Sequence, residues 1–195
     1  MSMTQRERRL WLIFWLLRER PEYAGMEVPG DEEEQKSLLR ALLNVRMPEP
    51  VTDEFIAIQD AYLQEETRRK GVTRLDDLVP VQEDIYIWKG DITTLECDAI
   101  VNAANSQMLG CFYPCHGCID NAIHTFAGVQ LRAECAHIME KQGHQEETGK
   151  AKLTRAYNLP CKYIFHTVGP VVYGDVSAQN RKDLESCYLS CLDEA

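Results

Sequence analysis

The sequence predicts an α/β domain carried behind a helical segment, and two observations predict it. Residues 1 to about 81 hold apolar positions at helical spacing and no strand-like runs. From residue 82 the pattern changes to short apolar segments bounded by turn residues, alternating with longer helical stretches. Strands alternating with helices imply a largely parallel sheet covered by helices, with ligands expected beyond the carboxyl ends of the strands. The division is therefore set at 1–81 for the helical extension and 82–195 for the α/β domain.

Each element has a local reason. Leu10–Leu17 is a continuous apolar run that reads as a buried helix. A second helix starts near Asp31, which can cap it, with Glu32, Glu33 and Glu34 favourably placed in the first turn and Leu38, Leu39, Leu42 and Leu43 on one face. A third, from about Thr52 to Arg69, buries Phe55, Ile56, Ile58, Tyr62 and Leu63; Pro21, Gly30, Pro48 and Pro50 punctuate the joins. Nothing in this half looks chemical, and it reads as a cap packed on the α/β domain. Strands are expected at Ile85–Trp88, Asp98–Ala103, Ala151–Tyr157 and Tyr163–Val168, and helices over 119–142, broken near Gly128, and over 178–195.

Bulk properties narrow the function. The chain has 195 residues, 45% hydrophobic and 27% charged, with a formal net charge of −10. That balance lacks the basic footprint of a nucleic-acid binder, so no nucleic-acid partner is expected. The run Leu10–Leu17 is far too short to span a membrane, and Arg18-Glu-Arg20 follows it without a small-residue cleavage site, so no membrane partner is expected either. Eight cysteines are spread too widely for a small disulfide scaffold, which points to a reducing, cytoplasmic setting.

The densest chemistry lies in Gly110-Cys-Phe-Tyr-Pro-Cys-His-Gly-Cys-Ile-Asp-Asn-Ala-Ile-His124. Soft ligands beside a carboxylate, just before a helix, fit a metal site, a redox thiol pair or a chance grouping of buried cysteines.

Three further segments carry a family resemblance. Gly90-Asp-Ile-Thr93, Asp98-Ala-Ile-Val-Asn-Ala-Ala-Asn-Ser106 and His166-Thr-Val-Gly-Pro170 resemble the signatures of macrodomains, which bind ADP-ribose. The resemblance covers about residues 82–195 and implies a macrodomain-like three-layer α/β fold with a mixed, largely parallel sheet. Asp91 then suits adenine recognition, its carboxylate accepting from an exocyclic amine while the Ile92 amide donates. Asp91 is also an ordinary turn former after Gly90. Asn105 is placed by resemblance beside the distal ribose, where its amide suits hydroxyl groups. Asn102 reads as structural.

Where hydrolytic macrodomains often carry a plain glycine run, this chain has the longer Cys-Phe-Tyr-Pro-Cys-His-Gly-Cys-Ile, ending in Asp120. That resembles the zinc-containing macrodomains of microbial ADP-ribosylation systems and implies Cys111, His116 and Cys118 as zinc ligands. Three ligands of this type leave one position open, as catalytic zinc requires. Cys115 departs from the subfamily pattern; if it closed the shell the zinc would be structural. A redox pair of Cys115 and Cys118 would leave Cys111 and His116 unexplained. Asp120 is expected to open the helix, as a cap and as the group that positions water against the anomeric carbon, with Asn121 among the substrate contacts and backbone amides of 120–123 near a phosphate. His124, one turn on, reads as a core histidine.

The resemblance implies an enzyme that removes mono-ADP-ribose from proteins, notably from acidic side chains, working with a sirtuin-type transferase and a lipoyl-carrier protein. A non-catalytic ADP-ribose reader and a structural zinc module are the other readings. No glycine follows Gly174, so the family's second, glycine-rich phosphate loop is absent from the sequence, and the domain is expected to be incomplete at its C-terminus, with an unpaired sheet edge.

Overall fold

The computed structural model describes residues 3–195. Its first half is a three-helix layer: α1 (Gln5–Arg18), α2 (Glu32–Val45) and α3 (Asp53–Lys70). Thr4 caps α1 in a capping box with Glu7, Asp31 accepts from the amides of Glu33 and Glu34 at the start of α2, and Thr52 caps α3. The layer has its own core of Leu12, Ile13, Leu16, Leu39, Leu42, Leu43, Phe55, Tyr62 and Leu63. Arg9, only 2% exposed, is held there by Gln35 and Glu32.

The central sheet is β5 (Ala99–Ala104), β7 (Tyr163–Val168) and β6 (Ala151–Arg155), in that spatial order. β5 and β7 run parallel, in register from Ala99↔Tyr163 to Ala104↔Val168, while β6 runs antiparallel to β7. The sheet is thus mixed. Alternation along the strands sends Ile100 and Ile164 into a core with Ile123, Ala127, Leu131 and Cys135 of α4 (Ile119–Ala127) and α5 (Val129–Gln142). Phe165 and Ala151 point to the other face, against Cys191 of α6 (Ala178–Asp193). Helices on both faces give the three layers. The half-buried ring of Phe126 on α4 packs against both the helical core and the sheet core, joining the two halves.

Short strands differ from expectation. β1 (Thr73–Arg74) pairs in parallel with β4 (Leu95–Glu96), and β2 (Pro80–Gln82) pairs antiparallel with β3 (Ile85–Tyr86). The strand expected over Ile85–Trp88 shrinks to Ile85–Tyr86, with Ile87 exposed, because the central sheet does not recruit it. The 81/82 division falls inside this hairpin. The expected helix 119–142 does break at Gly128, which ends α4 and begins α5 with φ 98° and ψ 173°.

That joint is crowded as well as twisted. A Cβ on Gly128 would sit 2.6 Å from Gln59 Nε2, 2.7 Å from Gln130 Oε1 and 3.0 Å from Asn158 Nδ2. Asp60 Oδ1 accepts from the amide groups of all three residues, and Gln59 Oε1 accepts from the Val129 amide, so α3 is tied to the α4–α5 corner. Gly128→Ala is expected to destabilise the protein by about 1–3 kcal/mol, since this backbone region is essentially reserved for glycine. Urea unfolding measures it; a loss within about 0.5 kcal/mol, the scatter of unremarkable surface changes, would show that the joint relaxes freely.

Candidate functional site

The site forms where the loop after β5 returns into α4. Gly110 bends there with φ 81°, and a Cβ on it would meet the His124 ring at 2.7 Å, so the loop lies directly on α4. Cys118 is the N-cap of α4, its sulfur accepting from the Asn121 amide at 3.4 Å. The expectation that Asp120 caps this helix is corrected: the carboxylate lies past the cap position and points into the protein. Oδ1 accepts from Asn102 Nδ2 at 2.8 Å and Oδ2 from Asn105 Nδ2 at 3.3 Å. Asp120 is 5% exposed, and burial pushes its pKa up, against the lowering pull of Asn102, Arg132 and Asn105.

Asn105 stands at the open side of this pair. It is exposed, its amide nitrogen also reaches Gly110 O, and its oxygen accepts from the Gln107 amide. Asn102, read as structural, is fully buried in the middle of β5 and donates to both Asp120 and His166. His124 Nε2 is 3.7 Å from Asp120 Oδ1, beyond hydrogen-bond range, and neither ring nitrogen has a partner. Burial, with His166 and Arg132 nearby, holds its pKa well below the usual histidine value, so it is a neutral core ring.

Cys111, His116 and Cys118 converge beside Asp120, their ligand atoms all within 4.8 Å of one another, and Cys111 Sγ lies 3.7 Å from His116 Nδ1. Tetrahedral zinc at ordinary bond lengths sets S···N edges of roughly 3.6 Å, so this donor set fits such an ion. Burial pushes the Cys118 thiol up, as does the adjoining Cys111, and a bound cation would favour its thiolate. Cys115 stands outside the cluster: its sulfur donates to Ser37 O and its amide to Asn44 Oδ1.

The helical layer therefore reaches into the site, which the sequence did not reveal. Arg40 on α2 donates to Asn121 Oδ1 and to His116 O, and Asn44 donates to Thr125 Oγ1 while holding Cys115. Asn121, expected among the substrate contacts, is fully buried, its amide spent on the carbonyls of Cys111 and Tyr113. Of the amides expected near a phosphate, those of Asn121 and Ala122 are engaged with Cys118. Only helix-period spacing from Leu39 and Leu43 marks Arg40 and Asn44, and any surface residue shares that signal.

At the other end, Asp91 caps the 3₁₀ turn Ile92–Thr94, Oδ1 accepting from the Thr93 amide and hydroxyl. Oδ2 lies 3.2 Å from Lys70 Nζ, whose ammonium also sits over the Phe126 ring at 3.3 Å. Ile92 is half-buried against the sheet core. An open cleft of about 550 Å³ runs past Lys70, Trp88, Asp91 and Thr94, within the range of small-ligand sites.

Comparison with known proteins identifies the family. The Macro domain family model matches residues 101–195. The protein-ADP-ribose hydrolase of Treponema medium is 59% identical over 197 residues, covering 99% of this chain and 76% of that protein. The protein-ADP-ribose hydrolase of Staphylococcus aureus (strain MSSA476) is 53% identical over 184 residues, covering 93% of this chain and 69% of that protein. The solved Trypanosoma brucei macrodomain in complex with ADP-ribose superposes with a TM-score of 0.53 at 31% identity, over 79% of this chain and 66% of that one. The chain belongs to the macrodomain family.

Arg40→Ala should loosen the loop without touching the sheet. Lost charge-assisted bonds to Asn121 and His116 O are expected to cost about 1.5–3 kcal/mol. Amide hydrogen exchange should rise across residues 111–118 and stay unchanged in β5 and β7. Equal protection of the loop in both proteins would show that α2 does not hold it.

Proposed function

We propose that the protein is a zinc-dependent hydrolase that removes mono-ADP-ribose from modified protein side chains, with Asp- or Glu-linked ADP-ribose as substrate. The observation that carries the reading is a buried carboxylate, Asp120, held between two asparagine amides and opening toward exposed Asn105 beside a metal-compatible cluster. The names of the Treponema and Staphylococcus relatives and the ligand of the Trypanosoma structure support it.

In this reading Asp91 and the Ile92 amide take the adenine at the cleft, the carboxylate keeping acceptor capacity besides its Thr93 and Lys70 contacts. The distal ribose lies at Asn105, whose amide orients a hydroxyl. Asp120 takes the proton of an attacking water as the water oxygen bonds to the anomeric carbon. The bond from that carbon to the acceptor carboxylate breaks, and the carboxylate leaves with the bonding pair. Cys111, His116 and Cys118 would hold the zinc. When bound, the ion would supply Lewis-acid polarisation of an oxygen beside Asp120. Burial around Asp120 strengthens each of these charge interactions.

The biological setting follows from the same reading: the substrates are mono-ADP-ribosylated proteins, a lipoyl-carrier protein among them, modified by a sirtuin-type transferase. Among the described residues no helix is long and apolar enough to cross a membrane.

Two outcomes test the proposal. Purified protein should carry close to one zinc per chain by elemental analysis; Cys118→Ala should lose it and Cys115→Ala should keep it. Zinc retained in Cys118→Ala, or lost in Cys115→Ala, would reassign the ligands. Asp120→Ala and Asn105→Ala should each slow release of ADP-ribose from an acidic side chain on the order of a hundredfold or more. Calorimetric affinity for free ADP-ribose should change far less, because these groups act mainly in the transition state. Binding without turnover in the parent protein would instead make it an ADP-ribose reader.

A further inference from the structure

Beneath α4 the sheet does something costly. Asn102, His166 and Thr154 all project from the strands into the same layer as Ile100 and Ile164, where an apolar side chain would serve packing better. Asn102 and His166 are 0% exposed and Thr154 2%. Buried polar groups of this kind persist when they are hydrogen-bonded to one another or needed elsewhere. Here they form a single row. Thr154 Oγ1 is 2.9 Å from His166 Nε2, His166 Nδ1 is 3.0 Å from Asn102 Nδ2, and Asn102 Nδ2 is 2.8 Å from Asp120 Oδ1. The row crosses all the strands of the sheet and ends on the carboxylate.

Hydrogen-bond chemistry fixes the direction of every bond. A carboxylate accepts only, so Asn102 must turn its amide nitrogen toward Asp120. The same nitrogen has one hydrogen left, and it points to His166 Nδ1, which must therefore be unprotonated. The ring proton then sits on Nε2 and is given to Thr154 Oγ1. Were Asn102 flipped, its oxygen would face the Asp120 carboxylate, acceptor against acceptor. The row even tolerates a cost: Asn102 Oδ1 is buried without a partner. Cys135 on α5 and His124 on α4 are the other titratable groups facing His166, with Arg132 beyond them near Asp120. Burial alone holds His166 neutral, its pKa lowered to about 4.

We propose that His166, acting through Asn102, is a positioning residue for Asp120: it locks the amide that holds Oδ1, so that Oδ2 stays turned toward Asn105 and the ribose. This rests on the reading of Asp120 as the group that meets the attacking water. Neither His166 nor Asn102 touches substrate in it. A purely structural histidine would make the same hydrogen bonds but leave turnover per folded molecule unchanged.

The test uses the full chain and a protein carrying ADP-ribose on an acidic side chain. His166→Leu keeps the bulk and removes the acceptor, and it is expected to lower kcat on the order of 10- to 100-fold, as small misplacements of a reacting group do. KM and calorimetric affinity for free ADP-ribose should stay within about twofold, since the groups that bind the nucleotide lie elsewhere and uniform binding is untouched. His166→Asn, which returns an acceptor oxygen near the Nδ1 position, should recover most of the loss. Equal slowing in His166→Asn and His166→Leu, or a change in KM and affinity matching the change in kcat, would overturn the proposal. Because His166→Leu risks misfolding, histidine-selective nitrogen NMR of the unaltered protein gives a second measure. His166 should show one Nε2–H tautomer, and Asn102→Leu should release it into a mixture. A protonated Nδ1 or an averaged tautomer in the unaltered protein would overturn the row. Asp120→Asn, run in the same turnover assay, separates the two ideas: wild-type turnover there removes Asp120 from the mechanism, while the NMR result still judges the lock.

Discussion

The burial of one carboxylate sets the terms for everything around it. Asp120 sits in the first turn of α4 with almost no access to water, and its charge is matched by side-chain amides rather than by a contacting cation. Such a group is costly unless its donors are rigid, because a carboxylate that loses a buried partner keeps its desolvation penalty. Rigidity comes from two directions. From below, the register of β5 against β7 places Asn102 beside His166. From above, the loop that ends at Cys118 fixes where α4 starts, and hence where Asp120 points.

That second constraint changes the meaning of the N-terminal helices. They have a complete core of their own, and in sequence they look like a cap. Yet α2 supplies Arg40 and Asn44 to the loop holding Cys111, His116 and Cys118, and Lys70 at the end of α3 meets Asp91. Both ends of the site thus rest on the helical layer. The shared ring of Phe126 makes the two halves one packing unit.

How much of this was legible depends on which forces are local. Asp31, Thr52 and Gly128 mark helix ends through their own backbone preferences, so α2, α3 and the α4–α5 break can be read directly. The strands expected at 98–103 and 163–168 are short apolar segments bounded by turn residues and lie within a residue or so of β5 and β7. The direction of β6 is not legible, since alternation is blind to parallel and antiparallel pairing. Ile85–Trp88 has strand composition, but composition cannot say whether a sheet will accept it. In the site, the Cys111, His116 and Cys118 grouping is visible because the residues are close in sequence. The roles of Arg40, Asn44, His166 and Asn102 depend on contacts across tens of residues. Asp120 is visible as a carboxylate but reads wrongly as a cap, because Cys118 is an uncommon capping residue and sulfur a weak acceptor.

The joining of β5 to β7 has a temporal side as well. Asn102 and His166 are 64 residues apart in the chain, whereas α1, α2 and α3 pack through short connections. Closing a long loop costs chain entropy before any strand contact repays it, and ribosomes deliver the N-terminal end first. The surface of α2 that bears Arg40 and Asn44 can therefore exist before the sheet beneath Asp120 does. On a nascent chain, the cysteine loop would meet its brace while the strand that orients the carboxylate was still being made.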